Sequence, residues 1–384
     1  MESIFKDKKE PLLFIRNIIV KTLLLFIFFN LIFTALFPIE ALGKISLYNR
    51  IFPGRTRLPY GEIPEKSYNL GIFNIEAMFT SHIISAGHKP SDEYRVILIG
   101  DSATWGFLLE PDQTLDANLN QEMLINSDGR RVKVYNLGYP VMSLTKDLLI
   151  LSYAVKYDPD LIIWLFTLES FPLDKQLFPP IIQNNPQKVK TLIEEFNLNI
   201  NLNKDLFSPP SFWERTIVGS RRNIADLIRL QTYGIMWAAT GIDQYIPQEY
   251  TKRIEDLPDD KSFHDITPPT LSPSDLALDI LEAGVVMAKN TPIIFINEPM
   301  FISQGENSDI RYNFYYPRWA YDDYRKFLEQ EMLLNNWNYL DAWDSISGEE
   351  FTNSAVHLSP NGSQEFAQLI KKAIQELWKG KPEY

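Results

Sequence analysis

The sequence predicts an α/β fold, a mainly parallel sheet with helices on both faces. Three observations carry that expectation. Short apolar runs recur, among them "RVILIG" (95–100) and "DLIIWLF" (160–166). Stretches with apolar residues at helical spacing lie between them. The runs end in small or polar residues such as Gly100-Asp101-Ser102, as strands do where they exit a sheet. Strands apolar on both faces are buried on both sides, and alternation with helices implies crossover-linked parallel pairs.

Taken in order, "NIEAMFTSHIIS" (74–85) reads as a helix, "RVILIG" as the first strand and "LDANLNQEMLI" (115–125) as a helix. "RVKVYNLG" (131–138) alternates like a strand, "LTKDLLILSYAVKY" (144–157) is helical, and "DLIIWLF" is the third strand. Pro172, Pro179, Pro180 and Pro186 then mark a loop. A helical insertion is expected over about 186–270, including "RNIADLIRLQTYGIMWAAT" (222–240). Burial of that helix against the main domain is expected over membrane contact. The pattern resumes with a Ser272-Pro273-Ser274 helix entry, a strand in "TPIIFINEP" (291–299), a helix in "YDDYRKFLEQEMLLNN" (321–336), a short strand in "WNYLDAW" (337–343) and a last amphipathic helix from Ser359.

Composition narrows the function. The chain has 384 residues, 45% hydrophobic and 22% charged, an ordinary balance for a globular protein. A net charge of −12 argues against nucleic acid as a partner. There is no cysteine, which excludes thiol nucleophiles, disulfides and thiolate metal sites, and with four histidines no metal site and no cofactor are expected.

The N-terminus departs from the soluble pattern. "TLLLFIFFNLIFTALFPI" (22–39) is an uncharged run of eighteen residues, long enough to span a bilayer as a helix. Lys6, Lys8, Lys9, Arg16 and Lys21 precede it, so residues 1–21 are expected in the cytoplasm and the rest outside. A cleaved signal peptide is the rival, weakened by the length of the run and the lack of a cleavage site. Residues 40–93 read as a linker and 94–384 as the main domain.

Ligands of open parallel sheets bind beyond the carboxyl ends of the strands. Ser102 lies at such an end, and so does Asp101, as nucleophile and neighbour or as an ordinary helix cap. Gly138 ends the second strand, as an oxyanion donor or a turn glycine. Thr167, Glu169 and Ser170 end the third, and Asn297 ends the fourth, as a substrate contact or a turn before Pro299. His357 sits on the loop before the last helix and pairs with Ser102 as a candidate base. The aromatic stretch with Arg311, Arg318 and Arg325 suits a sugar ligand or a packed loop, and His264 reads as a solvated loop residue.

"GDS" after the first strand, "NLG" after the second and a late His followed by "LSPNG" together resemble the SGNH (GDSL-type) hydrolase superfamily over 94–170 and 272–378. The resemblance implies a flavodoxin-like three-layer α/β/α sandwich. It implies Ser102 as nucleophile, His357 as base, and the N–H groups of Ser102 and Gly138 lining an oxyanion hole. Two positions depart from the pattern. Glu169 stands where the family has an oxyanion-binding Asn, and Ser354 stands where it has the catalytic Asp, with Asn353 one residue before. Asn353 is the first choice to orient His357. The anchor also resembles the envelope acyl-transfer branch of the superfamily, which implies an acylated glycan or envelope polymer as substrate and a membrane acyl-transfer partner. The expectation is thus a membrane-anchored esterase or O-acyltransferase, or else a weakened, glycan-binding assembly module of the same fold.

Overall fold

The computed structural model describes residues 2–202 and 205–379, with side chains from residue 11 onward. Strands β1 (Glu93–Ile99), β2 (Arg131–Asn136), β3 (Leu161–Phe166), β4 (Ile293–Asn297) and β5 (Asn338–Asp341) form one sheet in the order β2-β1-β3-β4-β5. Every neighbouring pair is parallel, with Val96 opposite Val134 and Leu161, and Ile294 opposite Ile163 and Asn338. Each strand lies where a predicted strand was expected.

Alternate residues of the strands feed two cores. Ile97, Ile99, Ile162, Trp164 and Phe295 face the Leu144–Ala154, Asp279–Ala288 and Arg318–Leu334 helices. Val96, Leu98, Ile163, Leu165 and Ile296 face the Leu115–Gln121 and Pro360–Lys379 helices. That is the expected three-layer sandwich. All six residues of β3 are buried, as the central strand requires. Full burial of each large side chain there contributes about 1.5–3 kcal/mol, so Ile163→Ala should cost about 2–5 kcal/mol.

Residues 40–93 are more than a linker. Leu58, Leu70, Ile72, Ile75, Met78 and Phe79 belong to the first core. The insertion is likewise bound in. The Pro186–Phe196 helix packs on the Leu144–Ala154 helix. The Arg221–Thr240 helix buries Leu230 and Gly234 but leaves Ile228, Ile235 and Met236 exposed, so burial holds for one face alone.

The N-terminal helix runs Glu2–Leu36, and Pro11–Leu36 is long and apolar enough to cross a membrane. It starts earlier than the expected 22–39, because Arg16 and Lys21 continue the helix rather than break it. It ends before Pro38, where Phe37 turns into the left-handed region with φ of 40°.

Candidate active site

In this strand order the chain leaves β1 first to one side, for β2, and then to the other, for β3. The gap between the β1 and β3 carboxyl ends is therefore the topological switch point, where such sheets bind ligands. Gly100, Asp101 and Ser102 leave β1 there, and Ser102 opens a one-turn helix, Ser102–Trp105. Two glycines permit this crowding. A Cβ on Gly100 would meet Thr104 Oγ1 at 2.2 Å, and one on Gly138 would meet the Trp105 nitrogen at 2.6 Å. Asn136 binds the two loops together. Its amide donates to Thr104 O and Asp116 Oδ1, and its oxygen accepts the Gly138 N–H at 3.0 Å.

Ser102 Oγ lies 2.8 Å from His357 Nε2, and His357 Nδ1 lies 2.8 Å from Asn353 Oδ1. A carbonyl oxygen only accepts, so Nδ1 carries the proton and donates to Asn353, which leaves Nε2 free to accept from the serine hydroxyl. The Phe107 ring stacks on the imidazole at 4.8 Å between centroids. Burial pushes the His357 imidazole down to about 4, and among the described residues no carboxylate opposes it. It is therefore neutral at pH 7.

The loops carrying these groups are clamped. Thr352 donates its N–H to His357 O at 2.8 Å, and Phe351 bridges Leu358. From the insertion, Arg253 donates to Phe351 O and its backbone N–H to Thr352 O. Gln244 accepts the Leu108 N–H at 2.6 Å and donates to Gly106 O and Leu109 O. Arg57 donates to the same two carbonyls, forms a buried bidentate pair with Asp243, and lies over the Trp105 ring at 4.4 Å. The linker and the insertion thus fix the Phe107 ring against His357. The two pockets beside the nucleophile loop are small. One, of about 10 Å³, is lined by Ala103, Thr104 and Val356, and the other, of about 40 Å³, by Trp105, Phe107 and Tyr60.

Several expected contacts fall elsewhere. Gly138 gives its N–H to Asn136, so it is a packing glycine rather than a free donor. Among the described residues, the N–H groups of Ser102 and Val141 make no hydrogen bond within the protein. Val141, on the loop after β2, holds a φ of 81°, a conformation costly for a β-branched residue and common at ligand sites. Asp101 is turned inward, accepting the Ala103 N–H at 2.8 Å, and is a cap. Asn297 is fully buried and engaged with Asp341, Tyr321 and Tyr324, so it belongs to the core and not to a substrate surface. Glu169 bonds His264 Nε2 at 2.9 Å and Lys175 at 3.1 Å, so its charge is matched. His264 is accordingly not a solvated loop residue. Arg311, Arg318 and Arg325 hold backbone carbonyls, a Tyr312 face and Asp341, which is loop packing.

An ionic cluster behind the nucleophile was not expected. Lys146 is fully buried, donates to Gly100 O at 2.7 Å and Tyr139 O at 2.8 Å, and pairs with Asp147 at 2.7 Å. Burial raises Asp147 to about 6. Burial also raises Asp101 and, further, Glu298, which the neighbouring charges of Asp101 and Asp147 push the same way. The sequence carried one signal for this cluster, the charged pair Lys146-Asp147 inside an otherwise apolar helix.

Fold and side chains together define a serine–histidine site at the switch point of a flavodoxin-like sandwich. In fold the chain is similar to solved GDSL-type esterases and acylesterases. A carbohydrate acetylesterase family member from Sinorhizobium meliloti matches 74% of this chain and 99% of its own at 11% identity and a TM-score of 0.34. A lipase/acylhydrolase from Enterococcus faecalis matches 76% and 98% at 16% identity and 0.38. The aryl esterase of M. Smegmatis matches 74% and 99% at 10% identity and 0.34. No protein-family model and no curated protein matches the sequence. Likeness of this degree is one of fold, so the functional reading rests on the side chains.

Proposed function

We propose that the protein is a serine ester hydrolase or acyltransferase of the SGNH type. The observation that carries this reading is the Ser102–His357–Asn353 chain, two hydrogen bonds of 2.8 Å in line. His357 Nε2 takes the hydroxyl proton as Ser102 Oγ attacks an ester carbonyl. The oxyanion is met by the Ser102 N–H, with the Val141 N–H as second donor. His357 returns the proton to the leaving alcohol, and a covalent acyl-serine is left. Water, or a glycan hydroxyl, then gives its proton to His357 and takes the acyl group, and His357 passes that proton to the departing Ser102 Oγ. Asn353 fixes the imidazole tautomer without a negative charge, so the imidazolium is less stabilised than in a carboxylate triad and turnover is slow.

The N-terminal helix anchors the domain in a membrane, with the site outside the cytoplasm facing an acylated glycan or envelope polymer. Support for this is the basic residue set before the apolar run. A membrane acyl-transfer partner would supply or accept the acyl group. The test is intact-mass analysis after exposure to a fluorophosphonate. One adduct, mapped to Ser102 and absent in Ser102→Ala, is expected. A chain that stays unmodified at high reagent, or is modified elsewhere, overturns the enzyme in favour of the binding-module reading.

A further inference from the structure

The segment 211–220 ("SFWERTIVGS") touches the N-terminal helix at a place that decides what surrounds it. The Ile217 N–H donates to Asn30 Oδ1 at 3.1 Å. Asn30 lies six residues before the helix end at Leu36, about 9 Å along its axis. The hydrogen-bonded turn of the segment is therefore level with the last part of the apolar span, not beyond it. The Arg215 guanidinium reaches the Phe37 ring, 5.6 Å from its centroid.

The segment is a preformed turn. Thr216 donates to Trp213 O and accepts the Gly219 N–H, and Ser220 donates to Glu214 O. What it presents outward is apolar: Trp213 is 76% exposed, Phe212 53% and Val218 50%. Exposed Trp and Phe on a rigid turn in water are costly, whereas the bilayer interface is where amphipathic aromatic rings are stable. The charges agree. Arg215, Arg221, Arg222 and Arg229 stand against Glu214 and Asp226, a basic surplus within a chain of net charge −12.

We propose that the 211–220 turn is a second membrane-contact site. It seats Phe212, Trp213 and Val218 in the interface beside the anchor, with Arg221 and Arg222 toward anionic headgroups. This rests on the reading of the N-terminal helix as a membrane span. The domain is then held at two points and cannot swivel freely on its tether.

The chain has no cysteine, so single-cysteine variants need no background removal. Full-length Trp213→Cys, Val218→Cys, Leu24→Cys and Met123→Cys, each carrying a bimane label, would be reconstituted in phosphatidylcholine/phosphatidylglycerol liposomes. Leu24 reports the anchor, and exposed Met123 reports water. Expected is quenching at 213 and 218 by shallow doxyl lipid, with iodide quenching at least twofold below that at 123. Arg221→Glu with Arg222→Glu should halve the lipid quenching at 213. If 24 is lipid-quenched while 213 and 218 respond to iodide as 123 does, the second contact is wrong and the anchor stands. If 24 escapes lipid quenching, the anchor reading itself fails. Shielding of 213 from both quenchers would assign the turn to contact with another copy of the chain and overturn the proposal.

Discussion

Two histidines of this protein are built in opposite ways. His264 has a carboxylate on each ring nitrogen, Glu169 at 2.9 Å and Asp174 at 3.2 Å. His357 has a hydroxyl on one and an amide on the other. Burial alone would lower His264, but hydrogen bonding and charge from Glu169, then Asp174, outweigh it and raise the ring above its ordinary value. Burial acts on His357 unopposed and carries it down to about 4. The acids that would make a strong base thus surround the histidine that has no nucleophile. Placement of charge, more than residue type, divides a structural histidine held between acids from a neutral general base.

The largest effect should come from cutting the neutral chain. Ser102→Ala or His357→Ala should lower turnover of p-nitrophenyl acetate by about a thousandfold or more, and the double variant should be little worse, since the two act as one unit. Strictly additive losses would show that the pair is not one device.

Giving His357 the carboxylate it lacks should sharpen the contrast. Asn353→Asp should raise kcat by roughly 10- to 1,000-fold, because a carboxylate stabilises the imidazolium formed during proton transfer. The pH profile carries the sign. The base must be neutral, so kcat/KM of the natural protein should hold down to about pH 4 and fall below it. In the variant the imidazole is raised and that limb should move to higher pH. An unmoved limb would mean that residue 353 does not set the basicity of His357.

The acids of the buried cluster behind Ser102 are also withheld from His357. Asp101, Glu298 and Asp147 point into the cluster around Lys146. Lys146→Met should therefore destabilise by about 3–5 kcal/mol, since it strips from Asp101, Asp147 and Glu298 the cation that faces them. Glu298→Gln removes a carboxyl whose charged form burial and its acidic neighbours disfavour, and should cost under about 1 kcal/mol. Urea unfolding of both variants measures the difference. Equal losses would show that Glu298 supports the cluster as much as Lys146 does.

These differences explain what could be read from the sequence. The strands were legible because β3, β4 and the Val96–Ile99 part of β1 are apolar at nearly every position, as strands buried on both faces are. Ser102 and His357 were legible because strand order brings the ends of distant segments to one edge. Asn353 was within reach because the resemblance implies an orienting acid at Ser354, and the adjacent Asn353 has a side-chain oxygen that accepts from an imidazole N–H. Asn297 was misassigned because a strand end gives position but not side-chain direction, and Tyr321 and Tyr324 hold it inside the core, while the His264 and Lys175 partners of Glu169 come from segments the strand pattern does not place. The Lys146 cluster was hidden since a Lys-Asp pair on a helix usually faces water. Val141 was passed over because β-branched residues seldom adopt positive φ, so nothing local announces it.

The smallest effect concerns His264 itself, and it tests the comparison from the other side. Its folded-state protonation is favoured over that of an unfolded histidine. A group raised in this way stabilises fully below the unfolded value of about 6.5 and loses that contribution as pH rises through the folded one. His264→Gln should thus lower Tm by about 2 °C near pH 5.5 and by less near pH 9, the size expected of a partly exposed ion pair in a chain this long. His82 supplies the internal contrast, for burial lowers it to about 4, so its contribution runs the other way, present above the unfolded value and lost toward acid. Esterase activity of His264→Gln at pH 7 should stay within about twofold, as Glu169 then still pairs with Lys175. A large loss of kcat with unchanged Tm would mean that the Glu169 charge, once released from His264, reaches the oxyanion, and the two histidines would no longer be independent.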